Sequence, residues 1–229
     1  SFQWEVNSEA TETSSTGPQV DHTTGTSSGI YVYTEASSGA SGNVSKFISP
    51  CLDLSSLTDP QLSFWYHMYG DLIDTLHVDV LVGGVWINDV FYLAGEQQTA
   101  NDDDWEMALV NLSAYPTAEK VRFRVKSLGC CTGDIAIDDI NIREAPTNDI
   151  AVINITEPNS ACGLTANENI TIEIYNYGSQ PQDTIPLGYS IDGSTTVGPE
   201  YYYPALNPGD TATYTFSATA DFSTFGNYN

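Results

Sequence analysis

The residues best placed to bind a ligand are three aromatic side chains that alternate along one predicted strand. In the run QLSFWYHMYG at 61–70, Trp65, His67 and Tyr69 point to the same side of the strand. Aromatic rings in such a row can stack on sugar rings. Alternatively, loops cover the rings and bury them as a second core layer, and we favour that alternative. The opposite side of the strand carries the apolar set Leu62, Phe64, Tyr66 and Met68.

A pair of carboxylates interrupts a second predicted strand, GDIAIDDINI at 133–142. Ile135 and Ile137 share one face, and the apolar residues that follow take the opposite parity. The alternation slips at Asp138–Asp139, which predicts a β-bulge because an extra residue in one strand shifts the side-chain pattern. We expect this bulge to redirect a carboxylate out of its regular place on the strand.

The four cysteines do not have the spacing of a metal or redox site. No C-x-x-C occurs, so zinc binding and thioredoxin-like chemistry are poorly supported. In a secreted protein an even number of cysteines favours disulfides. Cys130 and Cys131 are candidates for a vicinal disulfide, or Cys51 bonds to one of them across the sandwich. Cys162 then pairs outside this region or stays free.

Motifs for nucleophilic or metal-assisted catalysis are absent from the sequence. Three histidines and many serines occur, but there is neither a G-x-S-x-G nor an H-E-x-x-H motif. His67 and His77 fall on predicted strands, where a histidine is more often structural than catalytic. We therefore predict that the chain is not an enzyme.

Four of the six basic residues share one face of a single predicted strand, KVRFRVKSL at 120–128. On so acidic a chain, we expect this stripe to pair with acidic neighbours across the sheet. The alternative is that the stripe docks an acidic partner or polysaccharide. The stripe consists of Lys120, Arg122, Arg124 and Lys126. An acidic NDDD loop at 101–104 is interpreted as a solvated loop rather than as a second metal site.

The charge balance excludes several classes of partner. The chain has 30 acidic and 6 basic residues and a formal net charge of −24, so nucleic acid and anionic membranes are repelled. No apolar run approaches the ~20 residues that a membrane span needs, so we predict no membrane insertion. No signal peptide is visible, and we interpret the chain as a mature or trimmed piece of a secreted or cell-surface protein.

Short alternating runs between turn residues predict an all-β protein with two domains. No helical period occurs between the predicted strands, which favours antiparallel sandwiches. A short linker, EAPTN at 144–148, divides residues 1–144 from residues 145–229. Residues 47–49 form a short apolar run. The predicted strands are 29–35, 61–69, 75–82, 85–93, 105–112, 120–128 and 133–142, followed by 149–157, 170–177, 186–191 and 211–218. The last four predict an Ig-like sandwich, which we expect to be incomplete at its C-terminus.

The first domain resembles the MAM domain, an extracellular module named for meprin, A5 protein and receptor phosphatase mu. The matching motifs are F-x-W at 2–4, TGP and DHT at 16–23, SP at 49–50, LSFWYHMYG at 62–70, the lone Trp105 and DIAIDDI at 134–140. This resemblance implies a jelly-roll β-sandwich that serves adhesion or recognition outside the cell without catalysis. A strand that usually opens such domains is absent here, which would leave a sheet edge uncovered.

Two further resemblances extend to the source and to the second domain. The runs SPCLDLS and SFWYHMYG resemble those of secreted multidomain proteins from Bacteroidota-type bacteria. CGLTANENITIEIYNYG at 162–178 and LNPGDTATYTF at 206–216 resemble CARDB-like Ig modules that often follow. The resemblance implies a larger parent protein, whose neighbouring domains are among the expected partners.

The MAM resemblance also implies a structural cation near the end of the last strand. Asp138 matches the position expected to supply a ligand, and Asp21 of the DHT turn is the second candidate. Ca²⁺ takes several oxygen ligands, including carbonyls that turns supply. The alternative is that Asp138 only caps the bulge. Together the sequence predicts a non-catalytic module that recognises an extracellular protein or glycan; the alternative is a carbohydrate-binding module that targets an attached hydrolase to polysaccharide.

Overall fold

A computed structural model describes residues 2–194, 196–226 and 228 as two compact units, residues 1–144 and 145–229. The described residues form fourteen strands and one short 3-10 turn, Ala36–Ser38, so the all-β prediction is confirmed. In that part of the chain, no helix is long and apolar enough to cross a membrane.

The first unit is a sandwich of two antiparallel sheets. Its strands are β1 (Trp4–Asn7), β2 (Tyr31–Thr34), β3 (Val44–Ile48), β4 (Pro60–His67), β5 (Thr75–Val82), β6 (Val85–Ala94), β7 (Glu106–Asn111), β8 (Ala118–Lys126) and β9 (Ile135–Glu144). One sheet has five strands in the order β1-β2-β9-β4-β7, and the other has four in the order β3-β8-β5-β6. All the observed pairs are antiparallel.

Strict alternation on the central strands creates the core between these sheets. Leu62 and Phe64 of β4 are fully buried, and the ring of Phe64 meets that of Phe123 on β8 edge-on at 4.9 Å. Because successive side chains of a strand point to opposite faces, the remaining residues of β4 must point away from this core. The predicted inward set of β4 is therefore confirmed, and Trp65 lies on the outer face of the five-stranded sheet.

The predicted bulge is present where β9 runs beside β4. Ser63 pairs with Asn141 but Trp65 pairs with Asp138, so two residues of β9 oppose Phe64 alone. Asp139 lies at this irregularity with a φ of 47°, in the left-handed region that few non-glycine residues adopt. The bulge turns the Asp139 carboxylate toward the 21–25 loop, as its hydrogen bonds below show.

In the second unit, the residues that the structure describes form one more strand than the sequence predicts. Its strands are β10 (Ile150–Glu157), β11 (Thr171–Asn176), β12 (Ile185–Tyr189), β13 (Val197–Tyr202) and β14 (Thr211–Thr215). They form a three-stranded sheet, β10-β11-β14, and a two-stranded sheet, β12-β13, around a small apolar core that includes Ile174, Leu187 and Phe216. β13 carries Gly198 and Pro199, which lower strand propensity and are tolerated here because β13 pairs with β12 alone.

Candidate functional site

The outer face of the five-stranded sheet carries a second aromatic cluster, separate from the main core. Tyr31 and Tyr33 of β2 pack there with Ala136 of β9 and Trp105, and Trp65 of β4 lies against them. The Trp105 indole nitrogen donates to the carbonyl of Val20 at 3.2 Å. This bond holds the loop before Asp21 over the sheet.

His22 covers part of the Trp65 ring. The two rings are stacked with centroids 3.7 Å apart and an angle of 15° between their planes. His22 Nδ1 lies 2.7 Å from Asp139 Oδ2, and the Thr23 hydroxyl donates to the same carboxylate at 2.7 Å. The bulge of β9 therefore fixes the DHT turn, and the turn fixes the accessible surface of Trp65.

Asp21 organises the turn from inside. Its side chain is buried and accepts hydrogen bonds from the Thr24 amide at 2.9 Å, the Thr24 hydroxyl at 2.7 Å and the Thr26 amide at 3.3 Å. Burial on its own would raise the pKa of Asp21, but these hydrogen bonds outweigh it and hold the pKa below the ordinary value. Gly29 lies so close that a Cβ there would sit 1.9 Å from Asp21 Oδ2.

Asp138 lies on the same side of the sheet, next to this turn. Its Oδ2 accepts from the His22 amide at 3.0 Å, and its Oδ1 accepts from the Asp139 amide at 2.8 Å. Burial raises the pKa of Asp138, and the negative charges of Asp139 and Asp21 raise it further, although both amides oppose the shift. The structure thus brings the two predicted metal ligands, Asp21 and Asp138, into one electrostatic environment.

The arrangement around Asp21 and Asp138 meets part of what Ca²⁺ requires. A bound cation would relieve the repulsion between these carboxylates, yet each of their oxygens already accepts at least one hydrogen bond. Within residues 2–194, 196–226 and 228, no group of three or more His, Cys, Asp or Glu side chains is placed to hold a metal ion. The calcium site stays a prediction.

Of the three residues predicted for sugar stacking, Trp65 lines the cavity described below, whereas His67 and Tyr69 are not among the residues that line it. His67 is fully buried, its ring 5.7 Å from that of Trp105, and burial lowers the pKa of His67 to about 4. Tyr69 lies beyond the end of β4 and is half-buried, and its carbonyl accepts from the Thr16 hydroxyl at 2.9 Å. A continuous strip of three exposed rings is therefore not formed.

The cavity beside Trp65 has a volume of about 470 Å³ and an acidic rim. Its walls come from the 18–25 loop, from Trp65 and Trp105, and from the loop Asn101–Asp104. Asp103 shapes that loop because its Oδ2 accepts from the Thr99 amide at 2.7 Å and from the Ala100 amide at 2.9 Å. Asp102 and Asp104 are exposed, so their carboxylates are available to a ligand. We call this cavity the acidic tryptophan pocket.

Comparison with known families identifies the fold that carries this pocket. The model of the MAM domain, meprin/A5/mu, matches residues 1–148 of the chain. The chain belongs to the MAM domain family. This match and the two antiparallel sheets confirm the resemblance of the first domain to MAM domains and the jelly-roll prediction. MAM domains are extracellular modules that mediate interactions between proteins.

Relatives of this MAM domain include much longer proteins. The chain is 43% identical to Neuropilin-1a of Danio rerio over 77 residues, covering 34% of this chain and 8% of that protein. It is 30% identical to Neuropilin-1 of Mus musculus over 183 residues, covering 79% of this chain and 17% of that protein. MAM domain-containing glycosylphosphatidylinositol anchor protein 2 of Homo sapiens is 30% identical over 156 residues, or 62% of this chain and 16% of that protein. The chain thus spans less than a fifth of the length of each.

Among solved structures, this MAM domain matches an adhesin domain. The K1 cleaved adhesin domain of Lys-gingipain from Porphyromonas gingivalis aligns with a TM-score of 0.43 and 16% identity, covering 62% of this chain and 84% of that one.

The cysteines of the chain are exposed, and none of the four is bonded to another. Cys130 and Cys131 interact directly, and this contact lowers the pKa of the Cys130 thiol and raises that of Cys131. Cys51 and Cys162 are free as well. Disulfide formation by Cys51, Cys130 or Cys131 stays a prediction.

The sequence indicates the separate segments that line the acidic tryptophan pocket, but not that they lie next to each other in the fold. The 18–25 loop, Trp65 and the 101–105 segment are far apart in the chain, and no local pattern indicates that they meet. The role of His22 as the partner of the Trp65 ring was missed for the same reason. The one available signal was the parity slip at Asp138–Asp139, because the bulge supplies the carboxylate that binds His22.

Proposed function

We propose that this MAM domain is a non-catalytic extracellular recognition module that binds its partner at the acidic tryptophan pocket. The observation that carries the proposal is the meeting of the Trp65 indole with the exposed carboxylates of Asp102 and Asp104 around a cavity of about 470 Å³. Ligand sites typically combine an apolar wall with a few convergent polar groups. A pre-formed pocket of this kind favours recognition over a purely structural spacer.

The chemistry of the pocket favours a cationic group on a protein partner. The carboxylates accept charge-assisted hydrogen bonds from a lysine or arginine side chain. The part of the Trp65 ring that His22 leaves uncovered lines the cavity, and the face of a tryptophan ring attracts the same cations, at about 0.5–2 kcal/mol depending on exposure. The family, whose members mediate protein–protein interactions, supports this choice of partner.

A carbohydrate-binding module is the second candidate, and Trp65 favours it. A half-buried indole beside carboxylates is also suited to a sugar, because the ring stacks on the pyranose while the oxygens accept from its hydroxyls. In this case an attached hydrolase would be carried to its polysaccharide.

Binding measurements with three variants separate these candidates. The purified chain is screened against neutral glycans and against lysine-rich peptides, alongside Trp65→Ala, the double variant Asp102→Asn/Asp104→Asn, and Asp71→Asn as an exposed control outside the pocket. Recognition of a cationic partner predicts that the double variant loses most binding to the peptides and that added salt weakens the rest. Glycan binding that Trp65→Ala abolishes and the double variant largely keeps supports the second candidate. If neither Trp65→Ala nor the double variant changes binding, both candidate functions of the pocket are refuted.

The wider setting of the domain is part of the same proposal. We propose that residues 145–229 form a CARDB-like Ig spacer, and that the chain belongs to a larger secreted or cell-surface protein of a Bacteroidota-type bacterium. The sequence motifs at 162–178 and 206–216 support the spacer. A Ca²⁺ ion held by Asp138 and Asp21 would stabilise the turn that positions His22 over Trp65, which is a structural role.

A further inference from the structure

The cations of this acidic chain are concentrated on the outer face of the four-stranded sheet. Five of its six lysines and arginines lie there, on β3 and β8. Lys46 of β3 stands directly opposite Arg124 of β8, and residues paired across an antiparallel ladder share a face. We call this surface the basic face; it consists of Lys46, Lys120, Arg122, Arg124 and Lys126.

A buried ion network neutralises the two arginines of the basic face. Asp79 of β5 is fully buried and lies opposite Arg122 in the sheet register. Arg122 Nε lies 2.7 Å and Arg124 Nε 3.0 Å from Asp79 Oδ2, and Arg124 also reaches Asp89 at 2.6 Å. Burial would raise the pKa of Asp79, but these guanidinium groups and the Asp89 amide hold it below the ordinary value. The predicted pairing across the sheet is confirmed for the arginines.

The three lysines have no such counter-ions. Among the residues that the structure describes, none of the ion pairs within 4.0 Å involves a lysine, although Lys46 and Lys126 are exposed and Lys120 is half-buried. The positive charges of Arg122 and Arg124 are neutralised by the negative charges of Asp79 and Asp89. The net positive charge of the basic face therefore comes from its three lysines. Along β8, the distance from Lys120 to Lys126 is about 20 Å, since a strand rises about 3.4 Å per residue.

Aromatic and aliphatic side chains share the outer face of the sheet with these cations. The guanidinium of Arg122 is 4.1 Å from the centroid of the Trp86 ring, which fixes that ring on the face. Tyr92 of β6 is 62% exposed and stands opposite His77, which itself pairs with Arg124. Ile48, opposite Arg122, is 46% exposed. The face therefore offers ring surfaces as well as positive charge.

We propose that the basic face binds a linear glycan that carries carboxylate or sulfate groups. The lysines would meet the acidic groups, while Trp86 and Tyr92 would stack on the sugar rings. The buried network keeps the centre of the face rigid, so little conformational freedom is lost on binding. This inference rests on the proposed recognition function and adds a second ligand at a surface separate from the acidic tryptophan pocket.

Charge density favours an acidic glycan over other polyanions. Duplex DNA presents one charge per about 1.7 Å of its axis, so its interaction with the rest of a chain of net charge −24 is strongly repulsive. A glycan with roughly one acidic group on every sugar, or on every second sugar, carries fewer charges than DNA. Its repulsion from acidic residues of the chain that are more than about 8 Å away is screened at physiological salt.

Affinity measurements with matched single-charge variants test the proposal. The probes are a heparin oligosaccharide for sulfate, an oligogalacturonate for carboxylate, a neutral dextran oligosaccharide and a short DNA duplex, each titrated into the full chain by calorimetry. The variants are Lys46→Ala, Lys126→Ala and Arg143→Ala, where Arg143 is exposed and is the one cation of the sequence outside the basic face. All three lower the net charge by the same amount.

The proposal predicts binding to at least one acidic glycan and none to dextran. Lys46→Ala and Lys126→Ala should each weaken that binding about fivefold, the contribution expected of one lysine at an anionic surface. Arg143→Ala should change it less than twofold. Three results would overturn the proposal. They are an equal loss of glycan affinity in all three variants, binding of DNA as tight as that of the glycan, and no binding of either acidic glycan at physiological salt. The pocket variant Asp102→Asn/Asp104→Asn should keep acidic-glycan binding, so failure at the pocket and failure at the basic face are distinguishable.

Discussion

Replacing Asp134 with asparagine should stabilise the MAM domain near neutral pH. Asp134 is fully buried at the start of β9, where its Oδ1 accepts from the Ala36 amide at 2.8 Å. Its Oδ2 is buried without a hydrogen-bond partner, since the neighbouring Thr11 hydroxyl donates to the Thr16 carbonyl instead. Burial, together with the nearby charge of Glu35, raises the pKa of Asp134 to about 7. The folded protein therefore holds this carboxyl as the neutral acid below pH 7.

The sign and size of the effect follow from the two pKa values. The pKa of Asp134 rises from 3.8 when unfolded to about 7 when folded, so its protonated form favours folding and stability falls as pH rises through that range. At about 1.4 kcal/mol per pKa unit, the charged form costs about 4 kcal/mol in total, of which about 3 kcal/mol appears between pH 5 and pH 8.

His67 contributes a pH dependence of stability in the opposite direction, and the experiment must distinguish the two contributions. Its pKa falls from 6.5 to about 4 on burial, so stability is present above pH 6.5 and is lost as pH falls toward 4. Between pH 8 and pH 5 this loss is about 2 kcal/mol, again at about 1.4 kcal/mol per pKa unit. The contributions of Asp134 and His67 therefore largely offset each other in the wild type. Asp134→Asn keeps His67 and the other shifted groups, such as Asp138, so their contributions cancel in the difference between the variant and the wild type.

Urea denaturation at several pH values between 5 and 8 measures both effects. All four tryptophans lie within residues 1–144, so their fluorescence reports this unit in the full chain. EDTA is present throughout, and Asp102→Asn serves as the exposed control. The difference in unfolding free energy between Asp134→Asn and wild type should grow by about 3 kcal/mol from pH 5 to pH 8. A difference that is constant over this range, or a variant less stable than wild type at pH 8, would refute the reasoning.

Three other substitutions test contacts elsewhere in the domain. Asp79→Asn should cost about 3–5 kcal/mol in urea denaturation, because buried Arg122 loses its counter-ion, and an unchanged midpoint would contradict this. Gly29→Ala should cost about 1–3 kcal/mol, because the new Cβ would overlap the buried Asp21 carboxylate; a thermal melt equal to that of wild type would show that the turn adapts. Millimolar Ca²⁺ should raise the melting temperature of the wild type but not that of Asp138→Asn, and an equal rise in both would exclude Asp138 as a ligand.

The sequence predicted the strands of the sandwich because their patterns are local. Thr75–Val82 matches the predicted strand at both ends, and β4 lies within two residues of its predicted bounds. β1 was missed because it has only four residues and lies at a sheet edge. β13 was missed because Gly198 and Pro199 interrupt its strand pattern. Burial of His67 could not be read from its strand, since it depends on how Trp105 packs from a segment distant in the chain.

The alternation of side chains along the strands places the two proposed binding surfaces on opposite sides of this domain. Residues of β4 that avoid the core point to the outer face of one sheet, where Trp65 meets the acidic loop. Residues of β8 that avoid the same core point to the outer face of the other sheet and carry the basic face. The two sheets of a sandwich lie about 10 Å apart, so the two surfaces are separated by both sheets and by the apolar core between them. The proposed cationic and anionic partners would therefore approach the domain from opposite sides and would not compete for one surface.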